Sequence, residues 1–278
     1  MIVLKFSVLM SVYIKENPKY MKQSLDSIIN QTYKPSEIVI VKDGLLTKEL
    51  NDLIDEYQKK YTNLFKIITL EENVGLGKSL NIGVLNCTYD IIARMDTDDI
   101  CRNDRFEKQI KVLKNNKHID IVGSNIVEFI GEEVSNIKGV RSVPQNYNEI
   151  MKYAKKRNPF NHMTVMYRKI AVLDSGNYQE SLFSEDYHLW VRMLIKGHKG
   201  ININENLVFV RCNEDTYKRR GGMKYIKSEI NLQRQFLKWG YINYFEFLFN
   251  IVSRIFVRIL PNSIRSTIYN LLLRSKGI

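Results

Sequence analysis

Four short runs rich in β-branched residues, Phe6–Val12, Glu37–Val41, Phe65–Thr69 and Ile91–Met95, are separated by segments with helical periodicity. Strands that alternate with helices pair in parallel, because each crossover returns the chain to the same edge of the sheet. Tyr20–Gln31 places Met21, Leu25, Ile28 and Ile29 on one helical face, and Lys48–Tyr61 does the same with Leu50, Leu53, Ile54 and Tyr57. The right-handed rule for such crossovers predicts a doubly wound α/β sheet. Arg105–Asn115 reads as a further helix. The runs Ile119–Val122, Ile126–Ile130 and Met163–Tyr167 then predict a mixed, α+β second half.

Composition narrows the class. The 278 residues are 44% hydrophobic and 26% charged, which excludes a disordered chain. Three cysteines, Cys87, Cys101 and Cys212, show no C-x-x-C spacing, so neither a disulfide framework nor a zinc site is expected, and a reducing, cytoplasmic setting fits. Met1–Ile14 lacks a basic n-region and a cleavage site and reads as the first strand. No run of 18 apolar residues occurs, so no spanning helix is expected.

Charge is unevenly spread. The chain carries +12, and residues 216–278 hold twelve basic side chains against Glu229 and Glu246, a net +10. Such a surface suits phosphates of nucleic acid, nucleotide or anionic lipid. Within it, Glu246, Asn250, Arg254 and Arg258 recur every four residues as one polar stripe through the apolar Tyr244–Leu260. That pattern predicts an interfacial helix on an anionic membrane, with a core or dimer helix as the alternative.

The chemistry of an open α/β sheet gathers beyond the carboxyl ends of its strands. Three polar features fall there: Ser11-Val12-Tyr13, Lys42-Asp43-Gly44 and Asp96-Thr97-Asp98-Asp99. Three carboxylates within four residues repel one another unless a cation compensates them, and Asp-x-Asp on a strand-to-loop corner suits Mn²⁺ or Mg²⁺ completed by substrate phosphates. Asn73-Val74-Gly75-Leu76-Gly77-Lys78-Ser79 fails as a phosphate loop, since Glu72 stands where the first glycine is required. It fails as a dinucleotide fingerprint because Leu80 stands where the third is required.

Taken in order, Phe6–Tyr13, Ser24–Thr32, Glu37–Gly44, Asn73–Gly77, Ala93–Asp99 and Ser184-Glu185-Asp186-Tyr187-His188-Leu189-Trp190 resemble family 2 glycosyltransferases with the GT-A fold. The resemblance covers about residues 1–215, the expected GT-A domain, and leaves 216–278 as a basic amphipathic helical tail. The tail, with Arg219-Arg220-Gly221-Gly222, is similar to the amylovoran-type exopolysaccharide and O-antigen branch. It implies a Rossmann-like, mostly parallel sheet flanked by helices, a nucleotide-sugar donor such as a UDP-sugar, a divalent metal and inversion at the anomeric carbon. The acceptor implied is a glycan, lipid-linked, on the inner face of the cell membrane. Carried over by position, Ser11, Val12 and Tyr13 line the nucleotide, Asp43 meets the base, and Asn73, Gly75 and Thr97 belong to the donor site. Asp96 and Asp98 hold the metal, and Asp186 is the general base. Two positions depart from the family pattern: Lys42 replaces a second aspartate, and Asn103 a proline.

Lys78, Arg94 and the Arg219–Arg220 pair are candidates for stabilising diphosphate charge, and His162 for a donor or acceptor contact. Helical spacing separates Glu185 from Asp186: Glu185, His188, Arg192 and Lys196 share a polar stripe, whereas Asp186 shares a face with Leu189, Trp190, Met193 and Leu194 and points inward. Two other functions are alternatives, a nucleic-acid-binding protein using the tail and a sugar nucleotidyltransferase; because Tyr244, Phe245, Phe247, Phe249 and Phe256 lie in an apolar helix instead of alternating with basic residues, no nucleic-acid partner is expected.

Overall fold

The computed structural model describes residues 3–181, 183–212 and 223–259. The first half follows the expected alternation: β1 (Ser7–Val12), α1 (Pro18–Ile29), β2 (Glu37–Lys42), α2 (Lys48–Lys60), β3 (Phe65–Thr69), α3 (Leu76–Asn86) and β4 (Ile91–Arg94). These four strands pair in parallel in the order β3-β2-β1-β4. The chain winds outward from β1 to β3 and then returns to the other side of β1. The switch point therefore opens between β1 and β4.

The second half is mixed. It comprises β5 (Ile100–Cys101), α4 (Arg105–Asn115), β6 (Ile121–Ile130), β7 (Ile137–Arg141), α5 (Tyr147–Tyr153), β8 (Met166–Arg168), α6 (Lys169–Asp174), α7 (Glu185–Ile195) and β9 (Gly200–Cys212). Antiparallel β8 joins β4 to β6, and β6 runs parallel to β9. Two expected runs fuse into the single strand β6, because Gly123, Ser124 and Asn125 between them are buried and stay extended. The run expected over Met163–Tyr167 is split, with a 3₁₀ turn at His162–Thr164 before β8. Strand β9 had no clean alternation to announce it. Its Asn202 points inward, where its amide donates to the carbonyls of Pro144 and Pro159 at 2.6 and 3.0 Å.

Two cores sandwich the sheet. Met21, Leu25, Leu50, Ile54, Phe106 and Ile110 fill the side covered by α1, α2 and α4. Leu80, Val84, Tyr187, Trp190, Leu232 and Phe236 fill the other. The last two belong to α8 (Met223–Lys238), which with α9 (Tyr244–Ile259) follows the sheet. Helix α8 is thus part of the second core, with its Phe236 ring edge-on to Tyr187 of α7.

Candidate active site

The acidic corner lies where β4 ends, and neighbouring elements clamp its backbone. Ser24 of α1 donates to the Asp96 carbonyl at 2.9 Å, Ser27 accepts from the Cys101 N–H at 3.0 Å, and Gln31 donates to the Arg102 carbonyl at 2.7 Å. Arg105 of α4, fully buried, donates to the Arg94 carbonyl at 2.8 Å. From β9, the Arg211 backbone N–H donates to Asp99 Oδ1 at 2.9 Å and its Nε to the Asp98 carbonyl at 3.0 Å. The Arg211 guanidinium also lies 3.9 Å from the Tyr20 ring centroid. Asp99 is therefore committed to the fold, and Asp96 and Asp98 are left for the crevice.

The two carboxylates differ in their surroundings. Arg94, buried at the end of β4, places Nη1 2.5 Å from Asp96 Oδ1. Burial and the neighbouring charges of Asp96 and Glu16 push the Asp98 carboxyl up to about 7. Burial likewise raises Glu16, whose carboxylate accepts from the Thr97 hydroxyl. Buried like charges of this kind favour a cation between them. Among the described residues, no three His, Cys, Asp or Glu side chains converge closely enough to hold one unaided.

A second wall is the loop after β3. The Asp43 carboxylate, buried at the end of β2, accepts from the Val74 and Gly75 N–H groups at 2.8 and 3.2 Å and from the Asn73 amide at 3.2 Å. Gly44 makes this approach possible. It has φ +86°, and a Cβ there would come within 2.7 Å of the Asn73 backbone nitrogen. Gly75, at φ +87°, then opens α3. Ser11 meets Ser79 of α3 at 2.7 Å between hydroxyl oxygens. Val12 is fully buried in the core, with its carbonyl accepting from the Asp43 N–H at 2.8 Å, whereas Tyr13 is exposed. Lys78 is exposed and pairs with Glu180 at 3.2 Å. The Lys42 ammonium turns away to Asn51 of α2, at 2.9 Å.

The third wall is the first turn of α7. Asp186 Oδ1 accepts from the Tyr187 N–H at 2.7 Å, and Oδ2 accepts from the Asn158 amide at 2.5 Å. Burial raises the Asp186 carboxyl. Burial and the adjacent Asp186 charge push Glu185 up to about 7, and its Cβ lies against Gly77 of α3. The polar stripe drawn through Glu185 is not a solvated face. His188 is buried against Gln235 of α8 at 2.5 Å, and Arg192 donates to the Asn177 carbonyl at 2.7 Å. The reason is that α8 and the loop after α6 cover that side.

His162 sits between these walls, with Nε2 3.0 Å from the Tyr178 hydroxyl and its ring edge-on to Trp190. Burial and the nearby Arg94 charge hold it well below the usual histidine range, so it is neutral. Arg219 and Arg220 lie outside the described residues. Asn158, Arg211, Glu16 and Arg105 were not singled out from the sequence. Each supports the site through a contact distant in sequence, which no local motif records.

Comparison with known proteins bears on this geometry. The family model for glycosyl transferase family 2 matches residues 7–176, which hold the acidic corner and the Asp43 loop. The chain belongs to glycosyl transferase family 2. It is 43% identical over 270 residues to an Escherichia coli UDP-Gal:alpha-D-GlcNAc-diphosphoundecaprenol beta-1,3-galactosyltransferase, covering 97% of each chain. It is 38% identical over 266 residues to the amylovoran biosynthesis glycosyltransferase AmsE of Erwinia amylovora, covering 95% of this chain and 97% of the relative. Staphylococcus aureus TarS 1-349, in complex with UDP-GlcNAc, shares the fold at TM-score 0.65 and 18% identity over 84% of this chain and 67% of its own. A Pyrobaculum calidifontis mannosyltransferase, in complex with GDP-Man and Mn²⁺, does so at TM-score 0.64 and 16% identity over 98% and 76%.

This glycosyltransferase therefore has the GT-A fold, and its homologues act in polysaccharide and lipid-linked glycan synthesis. Among the readings left open by the sequence, sugar transfer stands.

Proposed function

We propose that the enzyme transfers a sugar, with inversion, from a UDP-sugar to a hydroxyl of a glycan carried on a lipid diphosphate. The observation that carries this reading is the corner at the end of β4, where Asp96 pairs with Arg94 and burial with the neighbouring carboxylates raises Asp98, together with the Asp186 carboxylate held by the Asn158 amide and the Tyr187 N–H in the first turn of α7. The E. coli relative, whose name gives a UDP-galactose donor and a diphosphoundecaprenol-linked acceptor, supports the choice of substrates.

Asp96 and Asp98 would hold Mn²⁺ or Mg²⁺, and the repulsion that raises Asp98 is the feature that fits a cation. Such an ion supplies charge neutralisation to the departing diphosphate. Arg94 orients the Asp96 carboxylate through their ion pair. The Asp43-braced loop at Asn73–Gly75, with Ser11 and Tyr13, borders the space for the nucleoside.

The acceptor oxygen attacks the anomeric carbon as the bond from that carbon to the diphosphate oxygen breaks. The electron pair of the broken bond leaves with the diphosphate. Asp186 takes the hydroxyl proton, because Asn158 and the Tyr187 N–H fix its orientation and burial raises its basicity. Neutral His162 packs beside Arg94 as a wall and carries no proton in this scheme.

The test is a panel of UDP-, GDP- and TDP-sugars with Mn²⁺ or with chelator, read by shifts in Tm and by transfer to a lipid-diphosphate-linked sugar. A UDP-sugar should raise Tm only with metal. Equal stabilisation by all nucleotides, or full stabilisation in chelator, would overturn the reading.

A further inference from the structure

Helix α9 is inside out. Its polar stripe faces the protein: Glu246 accepts from Lys155 Nζ at 2.9 Å, and Asn250 donates to the Lys155 carbonyl at 2.8 Å and to Gln233 Oε1 at 2.9 Å. Arg254 donates to the Lys156 carbonyl at 2.6 Å and pairs with Glu229 of α8 at 3.4 Å. A surface helix ordinarily turns its apolar side to the core. Here the polar contacts hold that side outward, leaving Phe245 82%, Val252 66% and Phe249 62% exposed on one face. Among the described residues no helix is long and apolar enough to cross a membrane.

We propose that this face is the dock by which the enzyme sits on an anionic bilayer. Two observations select that occupant. The apolar face is flanked by a cation, with Lys156 Nζ 5.5 Å from the Phe249 ring centroid. The two helices that carry it, residues 223–259, hold six basic side chains against Glu229 and Glu246, a net +4, which attracts an anionic surface and disfavours a second copy of the same face. Tyr244 and the phenylalanines also suit the headgroup boundary, where aromatic rings meet both lipid and water. The stripe fixes the helix to the protein through Lys155, Gln233 and Glu229, so docking would set the orientation of the whole molecule and not only that of a tethered tail.

The inference goes beyond sugar transfer and does not depend on it, so vesicle binding and donor binding can fail separately. The test is flotation of the full chain with phosphatidylglycerol-containing vesicles and with pure phosphatidylcholine vesicles, alongside a Phe245→Ser/Phe249→Ser/Val252→Ser variant. All three side chains are exposed, so the variant should keep the wild-type Tm and donor-induced Tm shift. The wild type should float with the anionic vesicles, less so in high salt, and the variant should partition at least about tenfold less. No flotation of the wild type, or equal flotation of the variant, would overturn the proposal. A wild-type dimer that the three substitutions dissociate, without flotation, would assign the face to a second copy.

Discussion

The Asn158 amide donates to Asp186 Oδ2 across 2.5 Å, tying the loop that follows α5 to the first turn of α7. With the Tyr187 N–H on the other oxygen, this bond fixes the plane of the carboxylate proposed as the base. A hydrogen bond to a charged group contributes about 1.5–3 kcal/mol. Asn158→Ala should therefore lower kcat about 10- to 100-fold while the Kd for the donor with metal changes little, as steady-state kinetics and calorimetry would measure. An equal change in both would mean that Asn158 shapes the donor site instead.

Asp186 and Glu185 separate by substitution. Asp186→Asn keeps the side-chain volume and an acceptor for the Tyr187 N–H, so fold and donor binding should persist while transfer falls about 10³-fold or more. Glu185→Gln should stay within about tenfold of the wild type, because the orienting bonds from Asn158 and the Tyr187 N–H fall on Asp186. The reverse ranking would move the base to Glu185.

Much of this architecture was legible because local pattern and tertiary role coincide. The four parallel strands, the crossover helices and the corner at Asp96–Asp98 follow from periodicity and from the rule that strand ends carry the chemistry. The motif around Ser24–Thr32 also acquires a physical reason, since Ser24, Ser27 and Gln31 clamp the acidic corner's backbone. What could not be read depends on contacts between distant segments. Strand β9 hides behind asparagines, of which Asn202 has its amide satisfied by remote carbonyls, and Arg211 at its end braces a corner more than a hundred residues earlier in the sequence. The inward stripe of α9 was visible as a pattern, but its partners Lys155 and Gln233 were not. Asp43 was legible as an acidic residue at a strand end, whereas its bonds to the Val74 and Gly75 N–H groups were not.

Those bonds carry a stability cost if removed. Asp43→Ala strands two N–H groups that the carboxylate now satisfies, and should cost about 2–4 kcal/mol in urea denaturation. Asp43→Asn retains one acceptor oxygen and should cost about half as much. If Asp43→Ala instead left stability unchanged and weakened only the donor, the carboxylate would be a ligand contact more than a brace.

His188 makes stability depend on pH. Burial and the Arg192 charge hold its imidazole down to about 4, and its Nε2–H donates to Gln235. The unfolded chain takes up a proton near the ordinary histidine value, about 6.5, which the folded chain refuses until about pH 4. Its contribution is therefore complete above about 7 and is lost as pH falls between these values. The slope is at most about 1.4 kcal/mol per pH unit. His188→Leu should be less stable at neutral pH but flatter between pH 6.5 and 4.5 in urea melts, and an unchanged slope would exclude His188 as its source.

Asp98 should behave in the opposite way from a structural carboxylate. Burial and the charges of Asp96 and Glu16 raise it to about 7, so without metal its ionised form is strained in the fold and relaxed in the unfolded chain. A raised carboxyl takes up its proton in the folded state first. The metal-free protein is therefore destabilised by this group as pH rises past the ordinary aspartate value toward 7, and gains as pH falls through that range. Asp98→Asn removes the charge while keeping the shape, and should raise the metal-free Tm at pH 7.5 by about 2–4 °C, as about 1 kcal/mol of relieved repulsion would do. The same substitution should abolish the Mn²⁺-dependent Tm shift produced by the donor. A lower metal-free Tm would show that Asp98 is held by donors and not strained by its neighbours. An intact metal-dependent shift would take Asp98 out of the metal site.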